Sequence, residues 1–153
     1  MTKTNVMRLL DAAKIPYRAV EYAFDENDLN GMHAAEGIGM PPEQIFKTLV
    51  ARGERVGFVV FCIPVCCELD LKKAAACAGE KKIEMLKAKE LLRLTGYIHG
   101  GCSPIGMKKF FPTFIDKSAA EQETICFSGG KIGFQVQLSL EDLKKVIRFE
   151  LAD

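Results

Sequence analysis

The sequence contains no tryptophan and only two histidines, His33 and His99, in 153 residues. The two histidines lie far apart, and no two of the six cysteines have the C-x-x-C spacing of a zinc or dithiol motif. The sequence therefore predicts neither a bound metal nor a disulfide framework. We interpret the cysteines as small hydrophobic residues; they are Cys62, Cys66, Cys67, Cys77, Cys102 and Cys126.

The sequence also lacks a long apolar run. The longest, over 57–64 (GFVVFCIP), has the length of a buried strand, whereas about 18 residues are needed to cross a bilayer. The first residues, MTKTNVMRLLDAAK, do not contain the apolar segment of a secretory signal. We therefore expect a cytoplasmic protein with reduced thiols and no membrane association.

An excess of charge of either sign is missing as well. Lysine and arginine number 21 against 20 acidic residues, so the net charge is +1. Proteins that coat nucleic-acid duplexes derive affinity from neutralising many phosphates, which this balance disfavours. An RNA substrate would have to be held locally, by its end or by a modified group, or be presented by another protein.

No low-complexity tract, repeat or linker divides the sequence, so we expect one domain over residues 1–153. Helices are predicted from Thr4 to a stop at Pro16, over 32–37, from Asp70 through Ala78, over 87–94 and from Ser139 onwards, with a polar loop over 24–31. Strands are predicted over 17–22, 45–51, 57–63, 96–99, 113–115, 124–127 and 133–138. The last two flank a hairpin turn over 128–131 (SGGK), which requires an antiparallel pair. We therefore expect a mixed α/β fold rather than a doubly wound parallel sheet.

Lys47 interrupts one of the apolar strands. Ile45 and Leu49 share its face of the strand, while Phe46 and Thr48 occupy the other. Such a lysine either extends to water from an edge strand or points into a polar pocket. In a pocket it could bind a phosphate or carboxylate, or stabilise developing negative charge.

A glycine loop, residues 100–106 (GGCSPIG), directly follows a predicted strand. Gly100, Gly101 and Gly106 allow positive φ angles and the close approach of a ligand to the backbone. Successive N–H groups in such a loop can form a nest for an oxyanion or phosphate; alternatively, the segment is a tight structural loop. Because the spacing is not G-x-G-x-x-G and Pro104 lacks an N–H group, we expect no dinucleotide cofactor.

Cys102 lies inside the glycine loop, but no histidine is placed by the sequence to activate its thiol, although His99 is three residues upstream. We therefore do not expect a catalytic cysteine. Tyr22, Ser128 and Gly129 carry no functional signal individually, since they are a strand aromatic and two turn residues.

Taken together, these features resemble the YbaK/EbsC proteins, which are akin to the editing domain inserted in bacterial prolyl-tRNA synthetases. The resemblance covers nearly the whole chain, from residue 1 to about 151, and its specificity comes from six segments in the same order and spacing. The segments are 42–49 (PEQIFKTL), 69–73 (LDLKK), 95–97 (TGY), 100–106 (GGCSPIG), 112–116 (PTFID) and 128–131 (SGGK).

The resemblance implies a single α/β domain whose mixed sheet curves partly into a barrel surrounded by helices. It also implies a deacylase that clears mischarged tRNA, with Cys-tRNA(Pro) as the substrate of the most similar branch. By carry-over, Lys47 holds the substrate and positions the scissile ester, and the glycine loop binds the terminal adenosine and the aminoacyl carbonyl. The implied catalytic residues are Lys47 and Gly101; the implied substrate-binding residues are Tyr22, Thr48, Gly100, Ser103, Pro104, Gly106, Ser128 and Gly129.

The implied mechanism needs no metal, no cofactor and no nucleophile from the protein. The thiol of the misattached cysteine attacks its own ester and leaves as a cyclic thiolactone, helped by the high effective molarity of an intramolecular attack. The enzyme folds the substrate and stabilises the oxyanion. The implied partners are the 3′ end of tRNA(Pro) and prolyl-tRNA synthetase, whose association would supply selectivity for that tRNA.

Two departures from the family pattern bear on which aminoacyl group is preferred. Gln135 stands where relatives carry an acidic residue, and Leu29 and Asn30 stand where some relatives carry an aromatic residue before the glycine. Two alternatives therefore stay open: a deacylase for another small residue such as alanine, using water, and a non-catalytic module that binds tRNA ends or a synthetase. Retention of Lys47 and the whole glycine loop argues against the binding module.

Overall fold

The computed structural model describes residues 3–22, 37–98 and 100–152. Within these ranges, eight strands form two sheets. The helices are α1 (Asn5–Ala12), α2 (Leu71–Ala78), α3 (Ala88–Thr95) and α4 (Leu140–Leu143). The strands are β1 (Arg18–Glu21), β2 (Phe46–Gly53), β3 (Gly57–Pro64), β4 (Ile83–Met85), β5 (Thr113–Asp116), β6 (Ile125–Ser128), β7 (Phe134–Leu138) and β8 (Glu150–Ala152).

Capping residues set the helix boundaries, as predicted. Thr4, Asp70 and Ser139 each accept a hydrogen bond from a backbone N–H group in the first turn of the helix that follows. Helices α2 and α3 end at Gly79 and Gly96, which take the left-handed conformation with φ of 75° and 86°. Glycine adopts this conformation without a steric penalty, so both helices stop where the sequence supplies it.

The five-stranded sheet has the order β4-β2-β3-β5-β8. Strands β2 and β3 form an antiparallel hairpin, and β5 and β8 continue the sheet in parallel. Strand β3 is buried on both faces, as its apolar sequence predicts. Val60 and Cys62 belong to the main core, the apolar cluster that also includes Leu91 of α3, while Val59 and Phe61 pack with α2 on the opposite face.

The three-stranded sheet has the order β1-β7-β6 and is antiparallel throughout. Phe127 and Val136 face the main core from this sheet. A single parallel bridge between Ile45 and Cys126 joins the two sheets. The strands thus curve around the main core without closing, so the predicted mixed α/β fold with a partly barrel-like sheet is confirmed.

The strand predicted over 96–99 is wrong for residues 96–98, and residue 99 lies outside the described residues. Gly96 is the C-cap of α3, and the N–H of Tyr97 donates to the Thr95 hydroxyl at 3.1 Å instead of to a neighbouring strand. The short strands β4 and β8 were not predicted, because three residues are too few to show a period. The predicted loop over 24–31 and helix over 32–37 lie outside the described residues, apart from Gly37.

Replacing Gly53 by alanine is expected to lower the free energy of unfolding by about 1–3 kcal/mol. A Cβ atom at Gly53 would overlap the carboxylate of Glu80. This carboxylate is buried, and its two oxygens accept from the N–H of Arg55 at 3.1 and 2.8 Å. It would have to move, and that N–H group would lose its acceptor. Urea denaturation measures the change.

The control is a double-mutant cycle with Glu80→Ala. Without the carboxylate, alanine at position 53 has nothing to displace, and Gly53→Ala should then cost little. An equal cost in both backgrounds would contradict the proposed steric cause.

Candidate active site

The hairpin turn between β6 and β7, residues 128–133, lies at the centre of the candidate site. The N–H of Gly129 donates to the carbonyl of Phe134 at 2.9 Å, and the hydroxyl of Ser128 accepts from the N–H of Gly130 at 3.1 Å. Gly130 has a φ of 100°, a conformation that side-chain-bearing residues rarely adopt. The turn predicted over 128–131 is therefore present, and it is fixed by its own backbone and by Ser128.

Lys47 lies beside the hairpin turn because of the bridge between the two sheets. Ile45 and Cys126 form a parallel pair, so Lys47 and Ser128 each lie two residues beyond it, on the face that Ile45 and Cys126 share. Strand β2 is paired with β3 along its whole length but with β4 only at residues 51–53, so on its other side Lys47 borders the gap between β2 and β6. Among the described residues, no side chain pairs with its ammonium group. The positive charge of Lys47 is thus available to a ligand at this face.

Beyond the Ile45–Cys126 pair, the face that carries Lys47 and Ser128 is polar, whereas the opposite face of the three-stranded sheet is apolar. Ser128 pairs with Gln135 across the β6–β7 ladder, and both side chains point away from the main core that Phe127 and Val136 fill. Gln135 is 6% exposed, and its Oε1 has no hydrogen-bond partner in the described part of the chain. A buried acceptor without a partner costs about 1–3 kcal/mol, so this oxygen is suited to accept from a ligand.

Tyr22 reaches the hairpin turn from the end of β1. Its backbone N–H donates to the carbonyl of Gly133 at 2.9 Å, and Val20, two residues earlier, pairs with Gln135. Tyr22 is half-buried and therefore stands at the margin of the same polar face. Residues 23–36, which follow it, are outside the described ranges. The predicted effect of Leu29 and Asn30 on the preferred aminoacyl group therefore stays a prediction.

The glycine loop packs against the hairpin turn from the other side. A Cβ atom at Gly101 would lie 3.3 Å from the backbone nitrogen of Ile132, which is closer than a side chain normally tolerates. A Cβ at Gly106, whose φ is 79°, would lie 2.8 Å from the hydroxyl oxygen of Tyr97. That hydroxyl donates to the carbonyl of Ile105. Gly101 thus permits the close approach of the glycine loop to the hairpin turn, and Gly106 permits its close approach to Tyr97.

Three of the predicted binding residues do not present side chains to this face. Thr48 points to the opposite side of β2, where its hydroxyl lies 3.7 Å from the thiol of Cys62. Ser103 is fully buried and accepts from the N–H of Ile105 at 3.3 Å, and Pro104 is buried beside it. Contact of Ser103 and Pro104 with a ligand would therefore involve backbone groups. Gly100, in contrast, is exposed, with a φ of 88°.

Cys102 is a core residue. It is 5% exposed, and burial raises the pKa of its thiol to about 12, with a further contribution from the neighbouring Cys62. A thiol with this pKa stays protonated at neutral pH and is a poor nucleophile. The geometry therefore agrees with the expectation that Cys102 has no catalytic role.

Metal binding and membrane insertion find no support in the described ranges. Within residues 3–22, 37–98 and 100–152, no three His, Cys, Asp or Glu side chains are grouped so as to hold a metal ion. No helix there is both long enough and apolar enough to cross a membrane. The polar side chains that share the face of Lys47 are a cation and an amide, Lys47 and Gln135, which suit an ester or another oxyanion-forming substrate.

The backbone groups that assemble this site were not predictable from the sequence. The carbonyl of Gly133 holds Tyr22, the backbone at Ile132 supports Gly101, and the hydroxyl of Tyr97 braces the glycine loop. Only Tyr97 carried a signal, since it belongs to the segment 95–97 that matches the family pattern. Backbone carbonyl and N–H groups are common to all residue types and give no such signal.

Comparisons with known proteins point to one family. Residues 32–146 match the family model of the aminoacyl-tRNA editing domain. EbsC of Enterococcus faecalis, provisionally named a Cys-tRNA(Pro)/Cys-tRNA(Cys) deacylase, is 46% identical over 151 residues, which are 99% of this chain and 92% of EbsC. A proline–tRNA ligase of Thermosipho africanus is 32% identical over 92 residues, which are 60% of this chain and 16% of the ligase. A solved structure provisionally described as a trans-editing enzyme for prolyl tRNA synthetase has a TM-score of 0.84 at 24% identity, covering 99% of this chain and 98% of that chain. The likeness to the solved structure shows the fold alone.

Proposed function

Because this chain belongs to the aminoacyl-tRNA editing domain family, we propose that it removes cysteine wrongly attached to tRNA(Pro). The observation that carries the proposal is the position of Lys47. Its ammonium group has no counter-charge among the described residues, and it lies on the face that Ser128 and the buried Gln135 share. The identity with EbsC along almost the whole chain supports the choice of a cysteinyl ester.

The proposed reaction needs a polarised ester and a stabilised oxyanion. The Lys47 ammonium group lies against the ester carbonyl oxygen and stabilises it as it becomes negative. The N–H of Gly101 already donates to the carbonyl of Ile98 at 3.0 Å, so Gly101 contributes by letting the glycine loop pack closely on the hairpin turn. The thiol of the cysteinyl group gives up its proton and attacks the carbonyl carbon. A bond from sulfur to that carbon forms, and the bond from the carbon to the ribose oxygen breaks. The ribose oxygen takes up a proton, and cysteine leaves as a thiolactone.

The substrate thiol replaces a nucleophile of the protein in this scheme. Cys102 is protonated and buried, and it lies on the core side of the fold rather than on the face with Lys47. Well-oriented intramolecular reactions reach effective molarities of about 10⁵–10⁸ M, so holding the substrate in a folded conformation supplies much of the acceleration. The proposed work of the protein is therefore to bind, to orient and to stabilise charge.

Gln135 is the residue that we propose as the contact for the amino acid. Its amide oxygen is buried and unpartnered in the described part of the chain, and the α-ammonium group of an aminoacyl ester is a donor that could satisfy it. A neutral amide attracts that ammonium group less strongly than a carboxylate would. Glutamine at position 135, where relatives carry an acidic residue, should therefore hold the aminoacyl group less tightly.

Selectivity for tRNA(Pro) is proposed to come from prolyl-tRNA synthetase. A chain with net charge +1 has little general affinity for RNA, and the described residues of the site include no group placed to read a tRNA sequence. The similarity to a segment of a proline–tRNA ligase fits a division of labour in which the synthetase selects the tRNA and this chain removes the amino acid.

Single-turnover deacylation of Cys-tRNA(Pro), Ala-tRNA(Pro) and Ser-tRNA(Pro) tests the proposal. We expect loss of cysteine to be about 100-fold or more faster than loss of alanine or serine, because only cysteine provides an intramolecular thiol. Mass spectrometry should detect the thiolactone among the first products. Cys102→Ala should react at the wild-type rate, and added prolyl-tRNA synthetase should increase discrimination between Cys-tRNA(Pro) and Cys-tRNA(Cys).

Other outcomes would point to different functions. Equal rates for all three esters would contradict an obligatory substrate thiol and indicate attack by water. Absence of activity on all three, with tRNA or synthetase binding retained, would indicate a binding module.

A further inference from the structure

One exposed surface beside the glycine loop combines large apolar side chains with cationic ones. We call it the α3 surface, and its residues are Lys89, Leu92, Arg93, Ile98, Lys108 and Phe110. Lys89, Leu92 and Arg93 lie at positions i, i+3 and i+4 of α3, so they share one helix face. Phe110 is 61% exposed, Ile98 50% and Leu92 48%. Three large apolar side chains are thus exposed to solvent on a surface that also carries Lys89, Arg93 and Lys108.

The α3 surface is held together at the C-terminus of α3. The N–H of Lys108 donates to the carbonyl of Thr95 at 3.2 Å, and the ammonium group of Lys108 donates to the carbonyl of Arg93 at 3.4 Å. The side chain of Lys108 passes 3.4 Å from the position that a Cβ of Gly96 would occupy. The segment that carries Lys108 and Phe110 is therefore fastened against the helix.

Positive charge is concentrated around this surface. Residues 86–110 contain five lysines and arginines and one carboxylate, that of Glu90, so their net charge is +4, against +1 for the whole chain. Glu90 is already paired with Arg52 at 2.9 Å. The α3 surface is thus a local positive field on a chain that is otherwise slightly negative.

The surface also borders the candidate active site. The glycine loop is the stretch of chain between Ile98 and Lys108, and it packs on the hairpin turn beside Lys47. A polymer whose terminal unit lies at the glycine loop therefore has the α3 surface within reach of its next units.

We propose that the α3 surface binds the unpaired 3′ end and the first phosphates of an RNA whose terminal ester lies in the active site. This inference rests on the proposed function. Cationic side chains suit the phosphates, and an exposed aromatic ring, here Phe110, suits an unpaired base. Protein–protein interfaces are depleted of lysine, which makes a protein partner the poorer fit for a surface that carries Lys89 and Lys108.

Binding of an uncharged RNA tests the proposal independently of deacylation. The probe is a fluorescein-labelled acceptor hairpin that ends in an unpaired CCA, compared with the same hairpin ending blunt. Lys89→Gln/Arg93→Gln should weaken binding of the CCA hairpin about tenfold and reduce the slope of log K against log salt by about 1.4–1.8, as expected for two lost phosphate contacts. Phe110→Ala should weaken the CCA hairpin about tenfold and leave the blunt hairpin unchanged.

The matched control is Lys144→Gln/Lys145→Gln, which removes the same charge beside α4, at the end of β7 away from the hairpin turn. Its affinity and salt slope should equal those of the wild type. Equal affinities for all variants, or no binding of the CCA hairpin by the wild type, would overturn the proposal. A further outcome would also overturn it: variants that bind the RNA normally but no longer show faster deacylation when prolyl-tRNA synthetase is added. The α3 surface would then bind a protein. Failure of the deacylation assay, by contrast, would count against the proposed function alone.

Discussion

Lys47→Ala is expected to slow single-turnover deacylation of Cys-tRNA(Pro) about 100- to 1,000-fold, the usual cost of removing one group that stabilises an oxyanion. The reason lies in the position of the ammonium group, which has no counter-charge among the described residues and faces the same side as Ser128 and Gln135. The rate at saturating enzyme should fall more than the affinity for RNA, because the proposed contact strengthens as the carbonyl oxygen becomes negative.

Two comparisons separate catalysis from folding and from general charge. Lys47 is half-buried, so its replacement should leave the midpoint of thermal unfolding nearly unchanged. Lys144→Ala removes an exposed lysine paired with Glu141 and should keep the wild-type rate. A folded Lys47→Ala variant with more than a tenth of the wild-type rate would remove Lys47 from the proposed mechanism.

The second large effect is expected at alkaline pH. Burial raises the pKa of the Cys62, Cys102 and Cys126 thiols from 9.0 to about 12. Between these values the unfolded chain loses three thiol protons that the folded chain keeps, so rising pH favours unfolding. The stabilisation is fully present below pH 9 and is lost as the pH rises towards 12. Between pH 8 and pH 10 we expect the free energy of unfolding to fall by about 4 kcal/mol, or roughly 1.4 kcal/mol for each thiol.

Urea denaturation at several pH values, under reducing conditions, measures this loss. Cys102→Ala should show about two thirds of the pH dependence, because one of the three thiols is gone. Cys66→Ala/Cys67→Ala removes two exposed thiols and should keep nearly all of it. A free energy of unfolding that is constant between pH 8 and pH 10 would contradict burial of these thiols as protonated groups.

Local features of the fold were predictable because their causes are local. The caps at Thr4, Asp70 and Ser139 and the turn over 128–131 depend on hydrogen bonds within a few residues of each other. Because successive side chains of a strand point to opposite faces, the sequence of β2 also predicted which residues share the face of Lys47. The strand predicted from residue 96 shows the limit of such local prediction. The composition there favours a strand, but Gly96 ends the helix in the left-handed conformation and the Thr95 hydroxyl accepts from the N–H of Tyr97.

Assembly of the candidate site was not predictable from these patterns. Lys47 meets Ser128 through a bridge between residues 81 positions apart, and Gly101 meets the hairpin turn through backbone atoms. Neither contact produces a periodic pattern in the sequence from which it could be predicted. The resemblance to a known family supplied the predicted site residues as a set, but it did not show that Thr48 points to the main core, away from Lys47.

The bridge between Ile45 and Cys126 has a consequence for how the site is tuned. Beyond this pair, β2 and β6 share no further ladder pairing in the described structure, so an open seam begins where Lys47 and Ser128 stand. The small apolar cluster of Ile45, Val65 and Cys126 lies at the closed end of this seam. Side-chain volume there acts as a spacer between the lysine charge and the turn that faces it. We therefore expect a change in the volume of these buried side chains to alter the distance over which the charge of Lys47 acts.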